Sequence, residues 1–461
     1  MTELPGAERV DTLIQNGYVV PFDGDAPSIP DGAIAIRDGV IVDVGPTSEL
    51  AARWTPDRRI FASGRIVIPG LSDAHFHTAQ TLMRGVLTTL QQTRSLRVPT
   101  WREYLVPFEA AMTPEDVELA GELAYTSMLA TGTTAFFEAG GPHPESMARA
   151  ADRAGIRGMV ALSTMDGGSR IPGSLTMTTD EAIARNIELA DALPPAPDGS
   201  SRVTAAMSLR QIVACTPELV TAIHGEATAR GIKVHTHLVE GTYEIDYALE
   251  RFGMRPIEYL IDLGVFTPTL HGAHSVLMSD DDVDLFVQHG ASACHCAKGN
   301  YSIGKPPALR MWRRGVDIGL GTDGVALLGT LDLFRVAMLT NVGQQLVEGT
   351  PVHNRNGVRA AEPLEMAIRG GARAMGLGAR TGRLAVGTRA DIVLLRTDGP
   401  DAVGYASEEA FLYECASGRD VDTVLVDGAV VVSDGAHDGT DPVDLHRRAR
   451  EAQRRLVAAI A

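Results

Sequence analysis

Histidines and carboxylates gather at the ends of short apolar runs in this 461-residue chain. Asp73-Ala74-His75-Phe76-His77 follows the run 66–71, which reads as a buried strand closed by Pro69-Gly70. Side chains two positions apart on a strand share a face, so His75 and His77 can aim at one point. Imidazole is a common ligand for zinc and similar first-row metals. The pattern returns at His235-Thr236-His237-Leu238-Val239-Glu240, at His271-Gly272-Ala273-His274, at His295 and at Gly321-Thr322-Asp323-Gly324. Taken singly, His235 reads as a core residue bonded to backbone and His274 as the opening of the next helix. His295, between Cys294 and Cys296, reads as structural. His143, His224, His289, His353 and His437 read as surface or packing positions. Packing alone puts apolar residues at strand ends, so it is the joint occurrence that points to one polar, metal-binding site.

The elements that must position these side chains alternate. Helical patterns at 114–131, 144–154, 179–193, 216–230, 279–289 and 305–314 are each followed by a strand-like apolar run. Counting the run at Ile66 as the first, eight strands with helices between them predict a (β/α)8 TIM-type barrel, whose site lies at the C-terminal strand edge. Short strands broken by turn residues occupy both ends of the chain, with Arg37-Asp38-Gly39 as a hairpin signal. The predicted organisation is therefore an α/β chain in three parts. Residues 1–64 start a small β-sandwich domain, 65–384 form the barrel, and 385–461 complete the β domain and add a terminal helix. The Pro/Ser-rich stretch 194–201 reads as a surface loop.

Composition excludes several classes. A formal charge of −17 argues against nucleic acid as the general partner and favours neutral or cationic small ligands. Four scattered cysteines give no disulfide framework and fit a reducing cytoplasm. The opening Met1-Thr2-Glu3-Leu4-Pro5 has no apolar signal region, and no apolar stretch is long enough for a membrane span.

The segment Pro69-Gly70-Leu71-Ser72-Asp73-Ala74-His75-Phe76-His77 resembles the first-strand signature of the amidohydrolase superfamily. His237-Leu238-Val239-Glu240, His271-Gly272-Ala273-His274 and Leu320-Gly321-Thr322-Asp323-Gly324 resemble its fifth-, sixth- and eighth-strand signatures. Gly387-Thr388-Arg389-Ala390-Asp391-Ile392-Val393 is similar to its re-entry into the small β domain. The pattern is most similar to the branch of cytosine, guanine and adenosine-type aminohydrolases, which also holds triazine hydrolases. The resemblance implies a mononuclear site of His75, His77, His237 and Asp323. The run 203–209 lacks the lysine that a two-metal site requires. Zinc (Zn2+) and ferrous iron (Fe2+) both fit such ligands, which leave a place for water.

In the implied mechanism the ion lowers the pKa of water, Asp323 takes a proton, and His271 orients the nucleophile and shares its charge. Glu240 then shuttles a proton to a ring nitrogen and helps ammonia leave. Candidate substrate contacts are Gln80, Trp101, Glu138, Lys298 and Arg170, the last being the one arginine placed for a ribose or carboxylate group. His295-Cys296-Ala297-Lys298-Gly299-Asn300 departs from the His-Cys-Pro-x-Ser-Asn of many relatives. The expected activity is hydrolytic deamination of a purine, pyrimidine, pterin or triazine. The partners are a small heterocycle and water, within a homo-oligomer. Rival readings displace chloride, alkylamine or thioether, open a cyclic amide, or leave a non-catalytic binding barrel.

Overall fold

The computed structural model describes residues 8–196 and 198–458, so the acidic opening Met1–Pro5 and Pro197 of the expected loop lie outside the described residues. Both ends of the chain build one sheet of nine strands. Strand Ile392–Arg396 pairs antiparallel with Arg65–Pro69, which lies parallel to the end of Glu8–Val19. These strands form one continuous hydrogen-bonded sheet, and Ile34 and Ile36 share a core with Ile392, Leu394 and Leu425. The run 66–71 is not the first barrel strand. Arg65–Pro69 belongs to the terminal sheet, and the inner strand is Leu71–Phe76. The chain changes sheet at Gly70: its N–H bonds Asp391 O at 2.9 Å, whereas Leu71 N–H bonds Gly132 O at 3.0 Å. Glycine is needed there, since a Cβ would lie 1.9 Å from Thr134 Oγ1.

The middle of the chain forms two parallel arcs. Four strands, Leu71–Phe76, Thr133–Glu138, Arg157–Val160 and Val203–Ala205, make one. Met207–Leu209, Val234–Leu238, Leu270–His274, Ser292–His295 and Ile318–Leu320 make the other. The run 203–209 serves both, for Ala206 N–H bonds Val160 O at 2.9 Å and Met207 N–H bonds Lys233 O at 3.0 Å. At the opposite edges, Phe76 and Asp323 form a parallel bridge, with Asp323 N–H on His75 O at 3.0 Å. These strands are buried on both faces, which is why they read as apolar runs.

Helices Pro114–Ala130, Pro144–Ala154, Thr179–Ala192, Pro217–Arg230 and Asp280–His289 lie within a residue or two of the expected bounds. Thr113, Thr178 and Ser279 start three of them, each accepting from the backbone N–H three residues on. Thr242–Phe252 and Leu333–Gln344 were not anticipated. Among the described residues no helix is long and apolar enough to cross a membrane.

Candidate metal centre

Four side chains from three strand ends meet where the arcs approach. His75 lies on Leu71–Phe76, His77 just beyond it, His237 on Val234–Leu238, and Asp323 follows Ile318–Leu320. His75 Nε2 is 3.2 Å from Asp323 Oδ1, and His77 Nε2 is 3.1 Å from His237 Nε2 and 3.7 Å from the same carboxylate oxygen. The three imidazoles offer donor atoms within 4.8 Å of one another, all buried. Burial lowers the pKa of His75, and it holds His77 and His237 well below the usual imidazole value with help from the Arg210 charge. All three rings therefore keep a lone pair at neutral pH. Burial raises Asp323, but the His75 hydrogen bond and the His274 charge outweigh it, so its carboxylate stays ionised. Neutral nitrogens converging on one carboxylate are a donor set suited to a zinc-class ion.

A second ring of contacts fixes these donors. His237 Nδ1 donates to Arg210 O at 2.7 Å, leaving Nε2 free to ligate. His75 Nδ1 meets His235 Nε2 at 2.9 Å, so His235 is a partner of the site and not a backbone-bonded core residue. Asp73 accepts from the Thr322 hydroxyl and, at 3.1 Å, from Thr322 N–H, pinning the residue before Asp323. These supports carry an unusual backbone, since Asp323 has φ +56°.

His271 does not reach the centre. Its Nε2 donates to Ala74 O at 2.9 Å, its Nδ1 meets Ser292 Oγ at 3.0 Å, and burial drives its pKa down to about 3. The expectation that it orients the nucleophile is corrected, because both ring nitrogens are engaged deeper in the strands. His274 lies nearer, its ring centroid 4.8 Å from His75 and its Nε2 4.0 Å from Glu240 Oε1. Asn300 Oδ1 accepts from His274 Nδ1 at 3.0 Å, and Asn300 Nδ2 donates to His274 O at 2.9 Å. His274 thus belongs to the site and not to a helix start. Burial alone would lower its pKa, but Glu240, Cys296 and Asp323 raise it well above the usual value.

Glu240 stands beside this histidine. Its Oε2 lies 3.2 Å from Tyr243 OH and accepts from Gln211 Nε2 at 3.3 Å, while Trp101 Nε1 donates to Tyr243 OH at 3.0 Å. Trp101 and Tyr243 form one wall of a cavity of about 480 Å3, lined also by Arg102, Ser169, Tyr247 and Arg251. The other expected substrate contacts stand as follows. Gln80 is buried, with Nε2 donating to Glu109 Oε1 at 2.8 Å. Glu138 is buried and accepts from Thr78 N–H at 2.9 Å. Arg170 is exposed and paired with Glu103 at 3.0 Å, and Lys298 is exposed one residue from Gly299, where a Cβ would lie 3.4 Å from Asp323 Oδ2. Arg210, buried and paired with Glu109 at 3.0 Å, went unnoticed although it directly follows the strand run 203–209.

Fold and donor set together define a metal-dependent hydrolase. The amidohydrolase family matches residues 66–431, and a bacterial imidazolonepropionase-like composite domain matches 32–55. The chain belongs to the amidohydrolase family. It is 30% identical over 454 residues to a 5-methylthioadenosine/S-adenosylhomocysteine deaminase of Desulforudis audaxviator, covering 97% of this chain and 99% of that one. A 5′-deoxyadenosine deaminase of Methanosarcina acetivorans is 30% identical over 450 residues, covering 97% and 99%. Among solved structures, an adenosine deaminase from Xanthomonas campestris with bound zinc superposes with a TM-score of 0.89 at 27% identity, covering 98% of this chain and 100% of that one. Atrazine chlorohydrolase from Arthrobacter aurescens, complexed with zinc, shares the fold with a TM-score of 0.86 at 24% identity over 96% and 100%. The expected hydrolytic deamination of a heterocycle agrees with the activities for which these deaminases are named.

Proposed function

We propose that the protein is a zinc-dependent hydrolytic deaminase of 5′-modified adenosine nucleosides. The cavity walled by Trp101 and Tyr243 carries this reading, because Tyr243 OH lies 3.2 Å from Glu240 Oε2 and a nucleoside whose base sits at the metal centre needs room for a sugar substituent. The walls suit it: Trp101, Tyr243 and Tyr247 offer apolar surface, and Arg102 and Arg251 offer charge for a polar tail. The Phe76–Asp323 bridge and the run shared at Ala206 support one closed (β/α)8 barrel over 70–384, with the terminal sheet outside it.

His75, His77, His237 and Asp323 would hold the ion, which we take as zinc and not ferrous iron because the solved neighbours hold zinc. A bound ion of this class supplies the acidity that makes water a nucleophile near neutral pH. Asp323 takes the proton from the attacking water. Glu240 delivers a proton to the ring nitrogen beside the carbon under attack. It takes up the remaining hydroxyl proton as the C=O forms and passes it to the departing amine, and regains its own proton from Asp323. His274 steadies the incoming oxygen through Nε2. Water adds, the C–N bond breaks, a C=O remains and ammonia leaves.

The test is an ammonia-release panel with metal content measured on the same sample. Expected is a kcat/KM for 5′-deoxyadenosine or methylthioadenosine at least tenfold above that for adenine, guanine or cytosine. Ammonia from the free bases alone, or chloride from a chlorotriazine without deamination, would overturn the assignment.

A further inference from the structure

Cys294-His295-Cys296 ends the strand Ser292–His295, and neither thiol belongs to the donor set of the metal centre. Alternation turns His295 away, its ring centroid 5.1 Å from that of Tyr301, and leaves both thiols on one side. Cys294 Sγ and Cys296 Sγ stand 4.0 Å apart, and Cys296 also hydrogen-bonds the His274 side chain. Cys296, His274 and His75 offer donor atoms that all lie within 4.8 Å of one another, and all three residues are buried. Cys294 is fully buried beside His75. Gly321 leaves it room, since a Cβ there would lie 2.7 Å from Cys294 Sγ and 2.9 Å from His75 Cβ.

We propose that Cys294, Cys296 and His274, with His75 as the fourth donor, form a second metal site that takes a soft, thiophilic cation. Three observations favour an ion over plain packing. Two thiolates on one tetrahedral zinc-class ion stand about 3.8 Å apart, because metal–sulfur bonds are about 2.3 Å, so the thiols need little adjustment. A disulfide would instead need them about 2 Å apart. Asn300 Oδ1 accepts from His274 Nδ1 at 3.0 Å, which fixes the ring and presents Nε2 as the ligand atom. The catalytic set is nitrogen and oxygen, whereas sulfur leads this one, so the softer of two competing ions settles here. As it binds, the thiols and His274 Nε2 give up their protons to solvent. His75 serves both sets, so each ion weakens the other's hold. A cation here also takes His274 Nε2 from the incoming oxygen, and turnover stops. The site itself needs no particular reaction; only that loss of turnover rests on the proposed role of His274.

Cadmium added to the zinc-loaded protein tests this, read by the ultraviolet sulfur-to-cadmium charge-transfer band with ammonia release on the same sample. Expected in wild type and in Cys415→Ser is a band that grows as ammonia release falls and shrinks when more zinc is added. Cys296→Ser should lose the band, and its remaining turnover should need about tenfold or more cadmium for half inhibition. Cys296→Ala replaces it if the serine variant does not fold. No band in wild type overturns the site. So does a band that the Cys296 variants keep, which would belong to Cys215 or Cys415. A band that leaves turnover untouched keeps the site and refutes the proposed role of His274.

Discussion

His271 and His274 sit three positions apart on one strand, and alternation sends such side chains to opposite faces. His271 faces inward but too deep, against Phe137 and His235. His274 would face outward, except that its φ of +72° swings the ring back toward the metal centre. No residue pattern announces that twist, which is why the sequence suggested the wrong histidine of the pair. The variants should separate accordingly. His274→Ala is expected to keep its metal and lose about a hundredfold or more in kcat. His271→Ala should lose roughly 2–3 kcal/mol of stability in urea melts while kcat stays within tenfold. Glu240→Gln should retain the metal and lose about a hundredfold or more in kcat, because an amide cannot pass the proton on. Glu138 supplies a pH test. Burial raises its carboxyl to about 8 against the lowering effect of Thr78, from a usual value of 4.5. Between those values the folded chain holds a proton that the unfolded chain has released, so stability falls as pH rises through the window. Glu138→Gln should flatten that fall in calorimetric melts from pH 5 to 8, and an unchanged slope would assign it to other groups.

Among the elements, helices were legible where an apolar stripe met a capping residue, as at Thr113, Thr178 and Ser279. Thr242–Phe252 was not, although Ile245, Ala248 and Phe252 keep a helical spacing, because Gly241 starts it with no capping side chain. Strand Arg65–Pro69 misled for another reason, since its apolar run continues through Gly70 into the next sheet without a polar break. What joins the two sheets is partly ionic. Buried Arg157, on an inner strand, grips Asp391 beside the terminal strand through bonds of 2.8 and 3.1 Å and also pairs with Asp427. Such a pair adds little net stability, but removing one partner strands a buried charge. Arg157→Ala is expected to cost about 3–5 kcal/mol in urea unfolding with kcat/KM of the surviving enzyme unchanged. A loss under 1 kcal/mol would mean that water reaches Asp391 and solvates it.

At the scale of the molecule, the proposed ligands come from both arcs. His75 and His77 belong to the four-stranded arc, His237 and Asp323 to the five-stranded one. Among the described residues, direct backbone pairing across that seam amounts to the Phe76–Asp323 bridge with its 3.0 Å bond, beside which the Asp73 carboxylate accepts from Thr322. An ion held from both sides would therefore act as a clasp as well as a Lewis acid, and its binding energy would add to the stability of the folded chain. Chelation should lower the melting temperature, and zinc restored to about a hundred times its dissociation constant should return about 2.7 kcal/mol. Amide exchange should quicken first at 71–77 and 318–323, with 133–160 slower to respond because those strands pair on both sides. His237→Ala should show neither the zinc-dependent gain nor the localised protection. Chelation that speeds exchange evenly across both arcs would place the ion somewhere other than the seam.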